Sequence, residues 1–270
     1  MEHKTVVVNG LASHYQVAGA GPDVIFVHGW ASSRRMWNGL WGHLASQYRC
    51  WALDLPGCGD SEKPTPGWYS IPHFSAYVLE FARLQGIERL RLVGHSMGGM
   101  IALDLAGRYP ESVERLVAIN PVVTGRANLR PLAHPGLTRS LLGWVLKLSP
   151  LVMQPLLAYS LGSRVGRVQP IQRRFHPIQR RAEEFNKGTV DSLIFSGRAV
   201  VDHDVSPLLE RITAPALVLL GDQDANVPAS EGRHAARRIP NGQLHIMRAG
   251  HMVTDDRPAD VAHLLAGFLA

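Results

Sequence analysis

The chain has two cysteines in 270 residues, Cys50 in an apolar run and Cys58 in a turn-like Pro-Gly-Cys-Gly. That excludes a disulfide framework and makes a reduced, cytoplasmic setting the expectation. Charged residues make up only 19% while apolar runs recur, which excludes global disorder. Long apolar runs are lacking too. The nearest to a membrane span, residues 141–159, is interrupted by Lys147, Pro150 and Pro155. The first ten residues lack the cationic start and apolar stretch of a secretory signal. No G-x-x-x-x-G-K-[ST] occurs, and Gly57-Cys58-Gly59 is no phosphate fingerprint. Neither H-E-x-x-H nor paired C-x-x-C is present. These absences lead us to expect no metal, no cofactor, no nucleic-acid partner and no stable membrane anchor.

What is present is basic charge in one place. The net charge is +6 with a pI near 9.7. Residues 122–206 hold twelve Lys/Arg and five acids, a net +7, which leaves −1 for the rest of the chain. Taken whole, +6 invites an anionic partner. Mapped along the sequence, it belongs to one middle segment.

The 46% hydrophobic content is arranged as short runs at 5–8, 14–17, 24–27, 50–53, 90–93, 116–119, 216–220 and 244–247. Helix-length stretches lie among them at 37–48, 71–85, 97–109, 230–239 and 258–269. Asn9-Gly10 joins the first two runs as a tight hairpin. The later alternation predicts an α/β fold, a mostly parallel twisted sheet with helices on both faces. The alternation stops at 122–206, where six prolines punctuate short helical patterns. We therefore expect a core domain of 1–121 and 207–270, with 122–206 as a helical insertion.

The sharpest motif is Gly94-His95-Ser96-Met97-Gly98, between an apolar run and a helical stretch. This is the strand–turn–helix context of an exposed nucleophilic serine. Gly94 and Gly98 leave room where a Cβ would collide, and the helix start aims free N–H groups at developing negative charge. A serine hydroxyl needs a general base and a group to orient that base. His251 follows the last strand-like run and precedes the last helix. Asp224 lies in the loop after run 216–220 and would fix the imidazole tautomer, with Asp222 as its rival or a turn cap. Of the thirteen His, His28 and His95 read as scaffold beside functional loops. The main-chain N–H groups of Trp30 and Met97 are the expected oxyanion donors, each worth about 3–4 kcal/mol in comparable sites. The Trp30 ring either walls an acyl pocket or simply packs.

Together, His28-Gly29-Trp30, Asp54-Leu55-Pro56-Gly57-Cys58-Gly59-Asp60-Ser61, Gly94 to Gly99, Gly221 to Asp224 with Pro228, and Gly250-His251 resemble the α/β-hydrolase superfamily over essentially the whole chain. The resemblance implies an α/β-hydrolase fold, a helical cap (lid) at 122–206, and scaffold roles for Asp54 and Ser61. Members with an aspartate nucleophile are excluded by Ser96. The nearest functional likeness is to small carboxylesterases, including pimeloyl-acyl-carrier-protein methyl ester esterases. Those often carry Trp before the nucleophile, where this chain has His95.

The expected function is hydrolysis of a small-molecule carboxylic ester through an acyl-enzyme. The same triad also serves lactonases, C–C bond hydrolases and cofactor-free perhydrolases, and the fold serves non-catalytic ligand receptors. Trp30, Trp144, Met153, Phe175 and Phe195 are candidates to line an acyl pocket. The pairs Arg173-Arg174 and Arg180-Arg181 would hold an anion or an acidic acyl carrier protein, unless they form a solvated face.

Overall fold

The computed structural model describes residues 1–127, 180, 181, 183–185 and 187–270. Eight strands form one sheet: β1 (Glu2–Val8), β2 (Leu11–Ala18), β3 (Asp23–Val27), β4 (Arg49–Leu53), β5 (Leu90–His95), β6 (Val113–Ile119), β7 (Ala216–Gly221) and β8 (Gly242–Met247). Their order is β1-β2-β4-β3-β5-β6-β7-β8. The pairs β1/β2 and β2/β4 are antiparallel, and every later pair is parallel. The expected hairpin forms: Val8 pairs with Leu11, with Asn9 and Gly10 at φ 48° and 81° in the turn. Those positive angles are what an Asn-Gly turn supplies.

The apolar runs follow from burial on both faces. Ile25, Val27, Leu92, Leu116 and Val218 face one core, with α2 (Ile71–Leu84), α3 (Met97–Arg108) and α5 (Ala229–Arg238) against it. Val24, Phe26, Val93, Val117 and Leu219 face the other, under α1 (Asn38–Leu44) and α7 (Pro258–Leu269). Successive strand side chains point to opposite faces, so a strand covered on both sides is apolar at every position. Phe26 is fully buried against Trp37 and Trp41, at ring separations of 5.2 and 5.3 Å. The edge strands differ: β1 is mostly exposed and carries Glu2, His3 and Lys4, and β8 is exposed along most of its length.

The helix expected at 37–48 is shorter, because a 3₁₀ turn (Arg34–Trp37) precedes it. The Gln47 and Tyr48 amides both return to the Leu44 carbonyl and end it. A four-residue helix, α6 (Val253–Asp256), follows the loop after β8.

Most of 122–206 lies outside the described residues, including Trp144, Met153, Phe175, Arg173 and Arg174. Its two ends are described and meet. The Val205 amide donates to the Val123 carbonyl at 2.9 Å, and the Val123 and Thr124 amides donate to buried Glu231 at 2.7 and 2.6 Å. The chain thus leaves and rejoins the sheet layer at one point. Within the segment, residues 180, 181 and 183–185 are helical, as is α4 (Val190–Val201), which a Thr189–Ser192 capping box starts.

Candidate active site

The loops after β3, β5, β6, β7 and β8 gather at the carboxyl ends of the parallel strands. The chain reverses its direction of travel across the sheet between β3 and β5, where open α/β sheets place their ligands. Ser96 sits between β5 and α3 with φ 56° and ψ −114°. This conformation is rare for a residue with a side chain and costs about 1–3 kcal/mol. Neighbours over-determine it. The Ser96 amide donates to the Ile119 carbonyl at 2.9 Å, and its carbonyl accepts from Met100 at 3.0 Å. A Cβ on Gly94 would lie 2.1 Å from the Gly98 carbonyl oxygen, and one on Gly98 would lie 2.1 Å from that of Val27. Serine at a helix start usually caps its own helix. Here the side chain makes no such bond, which leaves the hydroxyl for chemistry.

His251 is buried, and its Nδ1 lies 2.7 Å from Asp224 Oδ2. A carboxylate only accepts, so Nδ1 carries the hydrogen and the neutral ring offers Nε2 as a base. Asp224 Oδ1 accepts from the amides of Asn226 and Val227 at 2.8 and 3.0 Å. Burial opposes ionisation of this carboxyl, but the bonds from His251 and the two amides outweigh it and hold the group below the usual carboxylate range. The rival Asp222 instead accepts from the Ala249 amide at 3.3 Å and staples the loop after β8. The structure thus brings Asp224, not Asp222, to the imidazole.

The loop 28–30 passes over Ser96: a Cβ on Gly29 would stand 3.2 Å from Ser96 Cβ. This brings Gly29, the residue before Trp30, against the serine, and Met97 begins α3, where helix amides have no intrahelical partner. The Trp30 indole donates to the Leu193 carbonyl at 2.9 Å and meets Phe185 edge-on at 6.4 Å. Its ring therefore packs between the β3 loop and the segment 122–206. His28 is scaffold as expected. Its Nδ1 donates to the Gly29 carbonyl at 2.8 Å, and its Nε2 accepts from the Leu55 amide at 3.0 Å. Asp54 accepts from the amides of Arg34 and Asp60 at 2.7 and 2.8 Å and pairs with the Arg34 guanidinium, while Ser61 bonds the Asp54 carbonyl at 2.8 Å. This stretch is a brace for the 3₁₀ turn.

One expectation needs correction. Arg180 and Arg181 are neither a solvated face nor open to an anion. Both are buried and both bond Asp255, at 2.8 and 3.0 Å, with Arg180 also 3.5 Å from buried Glu184. Desolvation drives such guanidiniums to internal carboxylates. Glu184 in turn accepts from Ser33 and Ser32 at 2.8 and 3.2 Å. Phe195 packs against the core and lines a cavity of about 320 Å³ with Tyr69, Ile71, Pro72, Arg198 and His203. Ser96, Asp224 and His251 take no part in that wall.

Sequence reasoning missed Asn120, Asp255 and Glu184. Asn120 had one available signal, a polar residue at the carboxyl end of a buried parallel strand. Both thiols are buried, and burial pushes each up to about 12. Among the described residues, no three His, Cys, Asp or Glu are grouped to hold a metal ion, and no helix is long and apolar enough to cross a membrane.

Fold and site together define a serine-centred α/β hydrolase architecture. The family model described as alpha/beta hydrolase fold matches residues 22–258, and the chain belongs to that family. It is 27% identical over 263 residues to 2-hydroxy-6-oxo-6-phenylhexa-2,4-dienoate hydrolase of Comamonas testosteroni, covering 95% of this chain and 90% of that one. A membrane phospholipase A, described as a bacterial virulence factor, superposes with TM-score 0.81 at 28% identity, covering 99% of this chain and 85% of that one. The enol-lactonase of Burkholderia xenovorans LB400 shares the fold with TM-score 0.85 at 21% identity, over 98% and 99% of the two chains.

Proposed function

We propose that the protein is a serine hydrolase acting on carboxylic esters through an acyl-enzyme, with Ser96 as nucleophile, His251 as general base and acid, and Asp224 as its orienting carboxylate. The observation that carries this reading is the 2.7 Å His251–Asp224 bond beside a serine held at φ 56° with its hydroxyl unused in capping. His251 Nε2 takes the hydroxyl proton as Ser96 Oγ attacks the carbonyl carbon. The amides of Trp30 and Met97 receive the charge that develops on the carbonyl oxygen. His251 then gives its proton to the departing alcohol, and water repeats the sequence to free the acid. Segment 122–206 serves as a cap over the site. Its meeting ends at Val123 and Val205, and the Trp30–Leu193 bond, support that role.

The Comamonas testosteroni relative favours a second reading. Its named substrate has a ketone and a dienoate but no ester, so its hydrolysis splits a carbon–carbon bond. The same serine, base and acid would serve that reaction here.

The test is a panel of aryl and alkyl esters, an enol-lactone, a carrier-protein-linked acyl ester and the phenylhexadienoate, each with wild type and Ser96→Ala. The ester reading expects turnover of esters that falls about 10⁴-fold or more in Ser96→Ala. Turnover of the dienoate alone would favour the second reading. Equal rates with and without the Ser96 hydroxyl would end both.

A further inference from the structure

Two buried polar side chains outside the triad converge on one atom, the main-chain carbonyl oxygen of His251. His95 Nε2 lies 2.8 Å from it, and Asn120 Nδ2 donates to it at 2.8 Å, with the Gly250 carbonyl at 3.3 Å. A carbonyl oxygen only accepts, so His95 carries its hydrogen on Nε2. The two donors use both lone pairs of that oxygen. Asn120 Oδ1 also accepts from the Gly221 amide at 2.8 Å, three residues before Asp224. One amide thus bonds the loop of the base and the loop of the acid. His95 bonds the base loop to the residue preceding the nucleophile, with its ring 4.7 Å from the His251 ring.

We propose that His95 and Asn120 are positioning residues, which fix the His251 main chain so that its imidazole is held between Asp224 and Ser96. The proposal rests on the reading of His251 as the general base.

A histidine kept only to fill the core does not explain the geometry. His95 Nδ1 is buried, with no hydrogen-bond partner among the described residues and 3.1 Å from where a Gly29 Cβ would stand. An apolar ring would fill this space without that unpartnered nitrogen, whose burial is unfavourable. What imidazole adds is the Nε2–H directed at His251. Asn120 likewise holds φ 42°, an angle that Asn tolerates better than most residues, and its two amide atoms match their partners in one orientation only: oxygen to an N–H, nitrogen to two carbonyls.

The experiment needs no knowledge of the substrate. A fluorophosphonate probe reacts as Ser96 Oγ bonds phosphorus, the P–F bond breaks, fluoride leaves and His251 takes the serine proton. Its second-order labelling rate is read well below each variant's thermal midpoint, so that every molecule is folded. His95→Phe, which keeps a ring but loses the donor, is expected to label about 10- to 100-fold more slowly, as a displacement of about 1 Å at a catalytic group does. His95→Gln, whose amide nitrogen reaches the Nε2 position, is expected within about threefold of wild type by the same criterion. Asn120→Asp keeps its shape and its bond to Gly221 but turns a donor into an acceptor, and is expected to label as slowly as His95→Phe.

Wild-type rates in folded His95→Phe or Asn120→Asp overturn the proposal, and so does equal slowing by His95→Gln and His95→Phe. If His95→Phe does not fold, Asn120→Asp against wild type decides. Ser96→Ala runs alongside. Labelling that survives it refutes the nucleophile itself, whereas its loss together with unimpaired His95→Phe refutes only the positioning role.

Discussion

The state of His95 has a consequence for stability that can be worked out. Burial, reinforced by the neighbouring His251 imidazole, holds the His95 imidazole well below its usual range, to about 3 from 6.5. The folded protein therefore refuses a proton that the unfolded chain accepts. A group depressed in the folded state contributes fully above its unfolded value and loses that contribution as pH falls toward its folded value. At pH 7 little is lost. By pH 5 the unfolded chain holds the proton in nearly all molecules and the folded protein in about one in a hundred, a difference worth about 2 kcal/mol. His95→Gln does not titrate and keeps the bond to His251. Urea unfolding of both proteins at pH 7 and pH 5 isolates the effect, because every other titrating group is common to the two. The wild type is expected to lose about 2 kcal/mol more than the variant over this interval. Parallel losses would refute the neutral, sealed His95 and with it the tautomer assigned to the ring.

Three other perturbations test the surroundings. In Gly98→Ala the new methyl meets the Val27 carbonyl oxygen at 2.1 Å and that of His28 at 2.6 Å. Overpacking there is expected to cost about 3 kcal/mol in chemical denaturation and to displace Ser96. Asp255→Asn leaves Arg180 and Arg181 buried without their shared carboxylate, an expected loss of about 3–5 kcal/mol by thermal unfolding, whereas an unchanged midpoint would mean that both arginines reach water. Burial opposes ionisation of Asp60, but Lys187 and Arg34 outweigh it and hold its carboxyl at about 2 against an ordinary 3.8. Its contribution is present above pH 3.8 and is lost as pH falls toward 2. With the side chain 34% exposed, the effect after screening is about 1 kcal/mol, absent from Asp60→Asn in acid denaturation.

The sheet was legible because both faces of β3, β5, β6 and β7 are covered, which leaves short unbroken apolar runs. The turn around Ser96 was legible because collision with backbone oxygens permits only glycine at 94 and 98. Choosing Asp224 over Asp222 from sequence rested on loop position, and the structure gives the physical reason: the chain turn directs Asp222 to the Ala249 amide and Asp224 to the imidazole. Beyond its place at a strand end, the role of Asn120 is hidden in the sequence, because its partners, Gly221 and His251, are joined to it by strand register and not by nearness in sequence. Its place in the motif marks His95 as scaffold, but nothing local shows which carbonyl its Nε2 meets.

The basic middle segment illustrates the same limit with opposite sign. Charge counting sees Arg180 and Arg181 as part of a surplus, since Glu183 and Glu184 are the nearby acids. Their partner Asp255 lies some seventy residues on, in the short helix directly after His251. Glu184 meanwhile bonds Ser32 and Ser33, just past the loop that carries Trp30, and Arg35 bonds Glu183 at 3.0 Å. Arg180, Arg181, Glu183 and Glu184 therefore bond residues just past His251 and just past Trp30, on both sides of Ser96. Charge that a count assigns to a surface holds two halves of the site in register, and a substitution among these residues should be read first as a disturbance of His251 and Trp30. An effect on activity there does not by itself indicate an anionic substrate.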